Sequence, residues 1–175
     1  MSNEESTKSE SRNKKENNLL RAVLGRKTTT QTEPLPDSET FIRPDINSKS
    51  LVLRHVDVGS CNGCEVELGL CFAPIYDIES YGISLTASPR HSDGLIVTGV
   101  VTSNMAAPLM DAYRATPAPK VVIALGDCAI NCNGLGDGYG VEGAVGEFLE
   151  VDLQIRGCPP EPKSIIAELR RIAKA

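Results

Sequence analysis

Tryptophan is absent from this 175-residue sequence and aromatics make up only 4% of it, which removes the stacking platforms that sequence-tolerant binding of bases relies on. Positive charge is also scarce: 18 Lys and Arg stand against 23 Asp and Glu, for a net charge of -5 and a pI near 5.1. Binding nucleic acid requires a basic face to neutralise phosphates, and no stretch beyond residue 48 offers one, so that class is excluded. No apolar run approaches the ~20 residues of a membrane-spanning helix, and any membrane association is expected through partners or a surface patch. The opening MSNEESTKSESRNKKENN has no apolar segment and does not read as a signal peptide. The six cysteines are therefore expected in a reducing compartment rather than in a disulfide scaffold.

What is present is a core. Hydrophobic residues reach 41%, enough for one globular domain. Residues 1–48 stand apart: the first 18 and the segment Thr28 to Ser38 are too polar to offset the entropy of ordering, and are expected to be a disordered or extended tail and linker. Between them, Leu19, Leu20, Val23 and Leu24 could share one side of a short amphipathic helix. From residue 49 onward the pattern alternates. LVLRHVDV (51–58), GISLTAS (82–88), GLIVTGV (94–100), KVVIALG (120–126) and VDLQIRG (151–157) read as strands. CEVELGLCFA reads as a helix burying Val66, Leu70 and Ala73, Asn104 to Arg114 as a second helix with Ser103 as its N-cap, and PPEPKSIIAELRRIAKA as a third that opens at proline. Such alternation specifies a doubly wound α/β domain with a mainly parallel sheet.

Three strands run directly into cysteine: LRHVDVGSC ends at Cys61, VVIALGDC at Cys128 and VDLQIRGC at Cys158. In an open parallel sheet the carboxyl ends of the strands share one edge, and ligands bind in the crevice there. Cys61, Cys64, Cys128 and Cys158 can thus meet despite their distance in sequence, as a metal site with four thiolate ligands. Gly59, Gly63, Gly126 and Gly157 beside them permit close approach, and Pro159 and Pro160 stiffen the chain beyond the last. Zinc and an iron-sulfur cluster both accept four thiolates. Structural zinc more often uses two local C-x-x-C pairs, so the single local pair favours iron-sulfur. A thiol-disulfide role for Cys61 and Cys64 would leave Cys128 and Cys158 unused. Cys71 reads as a small buried hydrophobe, and Cys132 as an alternative ligand in the loop of Cys128.

The ordered series SCNGCEVE, SPRHSD, TGVVT, GDCA and GCPP resembles the small electron-transfer subunit of energy-converting, membrane-bound nickel-iron hydrogenases of the formate hydrogenlyase and hydrogenase-4 type, and its relative, the corresponding small subunit of respiratory complex I. The resemblance spans Leu51 to Ala175. It implies a flavodoxin-like fold and one [4Fe-4S] cluster held by Cys61, Cys64, Cys128 and Cys158. It also implies electron transfer between a ferredoxin-like iron-sulfur subunit and a large subunit that itself carries the nickel-iron centre. The complex would be anchored by membrane subunits at the cytoplasmic side, and an apolar interface with the large subunit is expected around the loops after Cys61 and Cys128. Complex I relatives have adjacent cysteines at the first site, whereas Asn62 and Gly63 separate Cys61 from Cys64 as in the hydrogenases. A quinone-reducing module and a zinc-stabilised structural protein remain the alternatives. Relatives commonly continue GDCA into a glycine pair; here Cys132 and Asn133 stand before Gly134. The resemblance further implies a proton-relay role for Glu67 and a cluster-tuning role for Arg90. Set against these, Glu65 and Glu67 would also complement the dipole of the first helical turn, Arg90 would serve as a surface ion-pair partner, and His91 as a solvent-facing loop residue.

Overall fold

The computed structural model describes residues 50–174; the amphipathic segment around Leu19 and the rest of the polar extension lie outside them. The elements run β1 (Leu51–Asp57), α1 (Gly63–Cys71), β2 (Ile83–Leu85), β3 (Gly94–Thr98), β4 (Val101–Thr102), α2 (Ser103–Ala115), β5 (Val121–Leu125), α3 (Asp127–Asn131), β6 (Val141–Gly143), β7 (Leu153–Ile155) and α4 (Pro162–Lys174). Five of the strands form one sheet in the order β2-β1-β3-β5-β7, every pair parallel. Counted among themselves these strands run 2-1-3-4-5, the flavodoxin-like order, whose topological switch point lies between β1 and β3. The two-residue β4 pairs antiparallel with β6 outside this sheet.

Successive strand residues point to opposite faces, so a sheet covered on both sides needs continuous apolar strands; β3 and β5 are buried at every position. On one face Leu51, Leu53, Ile96, Ile123 and Ile155 pack with Leu68 of α1 and Ile165, Leu169 and Ile172 of α4. On the other, Val56, Leu95, Val97, Val122 and Ala124 pack with Leu109 of α2 and with Val145 and Leu149.

The registers align the strand ends. Asp57 lies opposite Thr98, Thr98 opposite Leu125, and Leu125 opposite Ile155. The chain therefore leaves β1, β5 and β7 from a common level, and the three loops that lead to cysteine start side by side.

Three local expectations are corrected. The buried face of α1 carries Cys64, Leu68 and Cys71, while Val66 and Leu70 are exposed; the rival apolar stripes are about equally populated, and the pull of Cys64 towards the sheet edge selects between them. Helix α2 is preceded by Thr102, not Ser103, as its N-cap, without a side-chain cap bond, because the Thr102 hydroxyl donates instead to the Val58 carbonyl at 3.0 Å. The strands are shorter than the apolar runs: β2 and β7 keep only three residues each.

Candidate metal centre

Loop by loop, the sequence places each thiol. After β1, Asp57 Oδ1 accepts from the amides of Gly59 (2.9 Å) and Ser60 (2.8 Å), and the Ser60 hydroxyl accepts from the Asn62 amide at 3.0 Å. These two local turns carry Cys61 over the end of the sheet. Asn62 is left-handed (φ 70), and the chain then enters α1, which brings Cys64 back down. The loop after β3 presses against this one: a Cβ on Gly99 would lie 2.3 Å from the Ser60 nitrogen. The second and third cysteine loops are clipped together. Gly126 donates to the Ile155 carbonyl at 2.8 Å, Asp127 to the Gly157 carbonyl at 2.9 Å, and Asp127 Oδ1 accepts the Gly157 amide at 3.0 Å. Cys158 follows at once, joined to Pro159 by a cis peptide bond.

The thiols converge across these loops. A Cβ at Gly126, beside the Cys128 loop, would stand 2.5 Å from Cys64 Sγ, and one at Gly63 would stand 3.5 Å from Cys61 Sγ and 3.8 Å from the Pro159 ring. Burial pushes the Cys64 thiol up to about 12, with the charges of Glu65, Cys128, Cys61 and Cys158 adding to the effect. Cys128 is raised by burial and by Cys158, against the amide of Asn133. Cys64 thus feels the other three cysteines, and Cys128 feels Cys158 and Cys61. Four thiolates gathered this way repel unless a cationic, thiophilic group sits among them. The donor set, all sulfur with no histidine or carboxylate, fits an iron-sulfur cluster or zinc. Among the described residues no three His, Cys, Asp or Glu side chains close on a point that could hold a single metal ion.

Of the other candidates, Cys71 lies buried on α1, its thiol donating to the Glu67 carbonyl at 3.3 Å and the Pro162 carbonyl at 3.7 Å. Burial pushes it up to about 11, as suits a packed neutral thiol. Cys132 is buried with Val100 and Ala144, away from solvent, while Asn133 beside it donates its Nδ2 to Cys158 Sγ at 3.2 Å. Arg90 sits on an exposed turn, Pro89–His91, that enters β3 four residues before Thr98; the charges acting on Cys64 and Cys128 do not include it. His91 is exposed on the same turn. Glu67 is half-buried in the second turn of α1, so only Glu65 lies in the first turn.

One cluster of polar groups escaped the sequence reading. Thr98, wholly buried, donates its hydroxyl to Glu65 Oε1 and lies 2.9 Å from His55 Nε2. The second oxygen of Glu65 is buried without a partner. The signal was two polar residues, His55 and Thr98, on strands whose other positions are largely apolar.

A parallel 2-1-3-4-5 sheet that delivers four thiols to the crevice at its carboxyl edge defines a flavodoxin-like, cysteine-cluster class of α/β subunit. The chain belongs to the family of the 20 kDa subunit of NADH ubiquinone oxidoreductase, whose model matches residues 61–172. It is 39% identical to formate hydrogenlyase subunit 7 of Escherichia coli over 78% of this chain and 53% of that one. It is 38% identical to the probable membrane-bound hydrogenase subunit mbhJ of Pyrococcus furiosus over 69% of this chain and 74% of that one. The chain thus spans about half the length of the first of these relatives. Among solved structures, it resembles a chain of the membrane-bound sulfane sulfur reductase, an archaeal respiratory membrane complex, with a TM-score of 0.62 and 31% identity over 72% of this chain and 70% of that one. These relatives make the chain a member of an oxidoreductase and hydrogenase family found in membrane-bound complexes. No helix among the described residues is long and apolar enough to cross a membrane.

Proposed function

We propose that the chain is the electron-transfer subunit of a membrane-associated nickel-iron hydrogenase complex. Cys61, Cys64, Cys128 and Cys158 would hold one [4Fe-4S] cluster between a ferredoxin-like donor or acceptor subunit and the large subunit. The observation that carries this reading is the alignment of three strand ends whose loops bring four thiols, and no other ligand type, into one crevice. When bound, the cluster supplies one-electron transfer. The residues of this chain hold it: the clip between Asp127 and Gly157 fixes the separation of Cys128 and Cys158, and Gly126 and Gly63 leave the room that side chains would fill. The single local C-x-x-C pair, where structural zinc more often has two, favours a cluster over one zinc ion.

The partner reading follows from surface chemistry. Val66, Leu70 and Ile75 after Cys61, and Leu135 and Tyr139 after Cys128, are large apolar side chains left exposed. They lie in the segments that follow the first and second cysteine loops, and exposed apolar side chains of this kind would suit docking of a large subunit that receives the electron. With no membrane-spanning helix among the described residues, attachment would come through membrane subunits, on the cytoplasmic side. The C-x-x-C spacing of Cys61 and Cys64 favours the hydrogenase; the family's own description keeps a quinone-reducing module as the second reading.

Purification of the assembled complex decides between these. The expected result is about four iron and four acid-labile sulfides more per complex than in the same complex with Cys128→Ser, a reducible EPR signal that this variant lacks, and a co-purifying large subunit that contains nickel. Zinc in place of iron would overturn the cluster assignment. A nickel-free complex that reduces quinone would transfer the chain to the second reading.

A further inference from the structure

The loop after Cys128 departs from the glycine pair of the family pattern at two adjacent residues, and both adopt a backbone that favours glycine. Cys132 has φ 62 and Asn133 has φ 43. A non-glycine residue in the left-handed region carries a conformational penalty, and asparagine bears it better than most. Such penalties persist where a side chain returns something for them. Cys132 returns packing, being buried beside Val100 and Ala144. Asn133 is exposed and returns no packing. Its backbone amide is held by the Asn131 side chain at 3.0 Å, which leaves its own side chain free to reach across the site to Cys158 Sγ at 3.2 Å. The same amide faces Cys128.

We infer that Asn133 is a tuning residue, whose N–H···S hydrogen bond to Cys158 sets the reduction potential of the bound cluster above the value that a glycine at this position would give. The inference rests on the cluster proposed above. A sulfur bound to iron has no proton to offer, so only a donor such as the Asn133 amide complements it. Taking up one electron adds negative charge to the cluster and its sulfurs, and a fixed donor stabilises the reduced form more than the oxidised form. Hydrogen bonds to the sulfurs are one of the levers that set iron-sulfur potentials. Asn133 acts through Cys158 and is not itself a ligand.

The test is an EPR-monitored redox titration of the intact complex, with iron and sulfide measured per chain. Asn133→Gly returns one of the two glycines, relieves the left-handed backbone at that position and removes the donor. Its equilibrium constant for reduction should fall roughly three- to tenfold, or about 30–60 mV at 59 mV per tenfold for one electron, with cluster content unchanged. Asn133→Asp keeps a side chain that tolerates the same backbone but replaces the donor with a carboxylate, and should shift the potential further in the same direction. An unmoved potential in Asn133→Gly at full cluster content would mean that water supplies the donor equally well, and would overturn the inference. An upward shift in Asn133→Asp would do so too. Cluster loss from both variants would make the residue structural and end the tuning role. A wild-type complex whose iron, sulfide and EPR signals match those of the Cys128→Ser complex would overturn the proposed function and this inference together, which separates the two failures.

Discussion

Thr98 gives its single hydroxyl proton to Glu65, so its oxygen can only accept from His55, whose Nε2 lies 2.9 Å away. That fixes the histidine as the Nε2–H tautomer and gives the chain of hydrogen bonds one direction, from β1 through β3 to the first turn of α1. The arrangement ties the turn that carries Cys64 to the ends of two central strands. Thr98→Val keeps the shape and removes the hydroxyl, leaving a buried carboxylate oxygen and an imidazole N–H without their partner. The expected cost is about 1–3 kcal/mol of stability, with a parallel loss of cluster occupancy, measured by thermal denaturation and iron content. Thr98→Ser should restore most of both. If Thr98→Val melts and loads like the wild type, the chain of hydrogen bonds is incidental.

The same histidine predicts a pH dependence. Burial lowers the His55 pKa below its ordinary 6.5, outweighing the opposing pull of Glu65 and Asp57. In the unfolded chain the imidazole takes up its proton first as pH falls, so the unfolded state binds more protons than the folded state in the window below 6.5. Stability from this group is complete above 6.5 and is lost as pH falls towards the folded pKa. The melting temperature should therefore decline as pH falls below about 6.5, and His55→Gln, which retains an N–H donor, should flatten that decline. An unchanged slope in His55→Gln would assign the dependence to other groups.

Much of this architecture was legible because parallel strands buried on both faces leave long apolar runs, as in GLIVT and VVIAL, and because three of those runs end in cysteine. The candidate site was placed by the rule that carboxyl ends share an edge. Register was not legible: nothing in the local sequence says that Asp57, Thr98, Leu125 and Ile155 stand level. The orientation of α1 was misread because Val66 and Leu70 form as good an apolar stripe as Leu68 and Cys71, and only the attachment of Cys64 to the sheet decides between them. Hydrogen bonds such as His55 to Thr98, 43 residues apart, and Asn133 to Cys158, 25 apart, depend on tertiary placement and leave no local pattern.

The room left by glycine supplies a third prediction. Gly126 has φ 90, and a Cβ there would meet Cys64 Sγ at 2.5 Å, too close for any side chain. Gly126→Ala should abolish cluster assembly about as fully as serine at Cys61, Cys64, Cys128 or Cys158. Gly146→Ala, where no atom lies within 4 Å of the new methyl, and Cys71→Ala should both keep the EPR signal. Retention of the signal in Gly126→Ala, or its loss in Cys71→Ala, would remove the ligand assignment.

Glu67 supplies the last. It stands three residues after Cys64 on α1, half-buried at the margin of the face that holds Cys64, Leu68 and Cys71. Residues three apart on a helix are neighbours, though the thiol that feels the Glu67 charge is Cys71, one turn further along α1. The first-turn position that favours negative charge belongs to Glu65, and dipole complementation is correspondingly weaker for Glu67 in the second turn. On the proposed relay reading, this carboxylate would exchange protons with a reaction centre in the partner subunit. Glu67→Gln keeps the volume and much of the hydrogen bonding but cannot exchange a proton. Hydrogen turnover per cluster should then fall by roughly 10²- to 10⁴-fold, the scale of a lost general acid or base, while iron content and melting temperature hold. The control is Glu67→Asp, which keeps the proton on a shorter arm and should recover part of the rate. Turnover within a few-fold of wild type in Glu67→Gln, at full cluster content, would leave Glu67 as a surface residue of α1 and move the search for a proton path to the partner subunit.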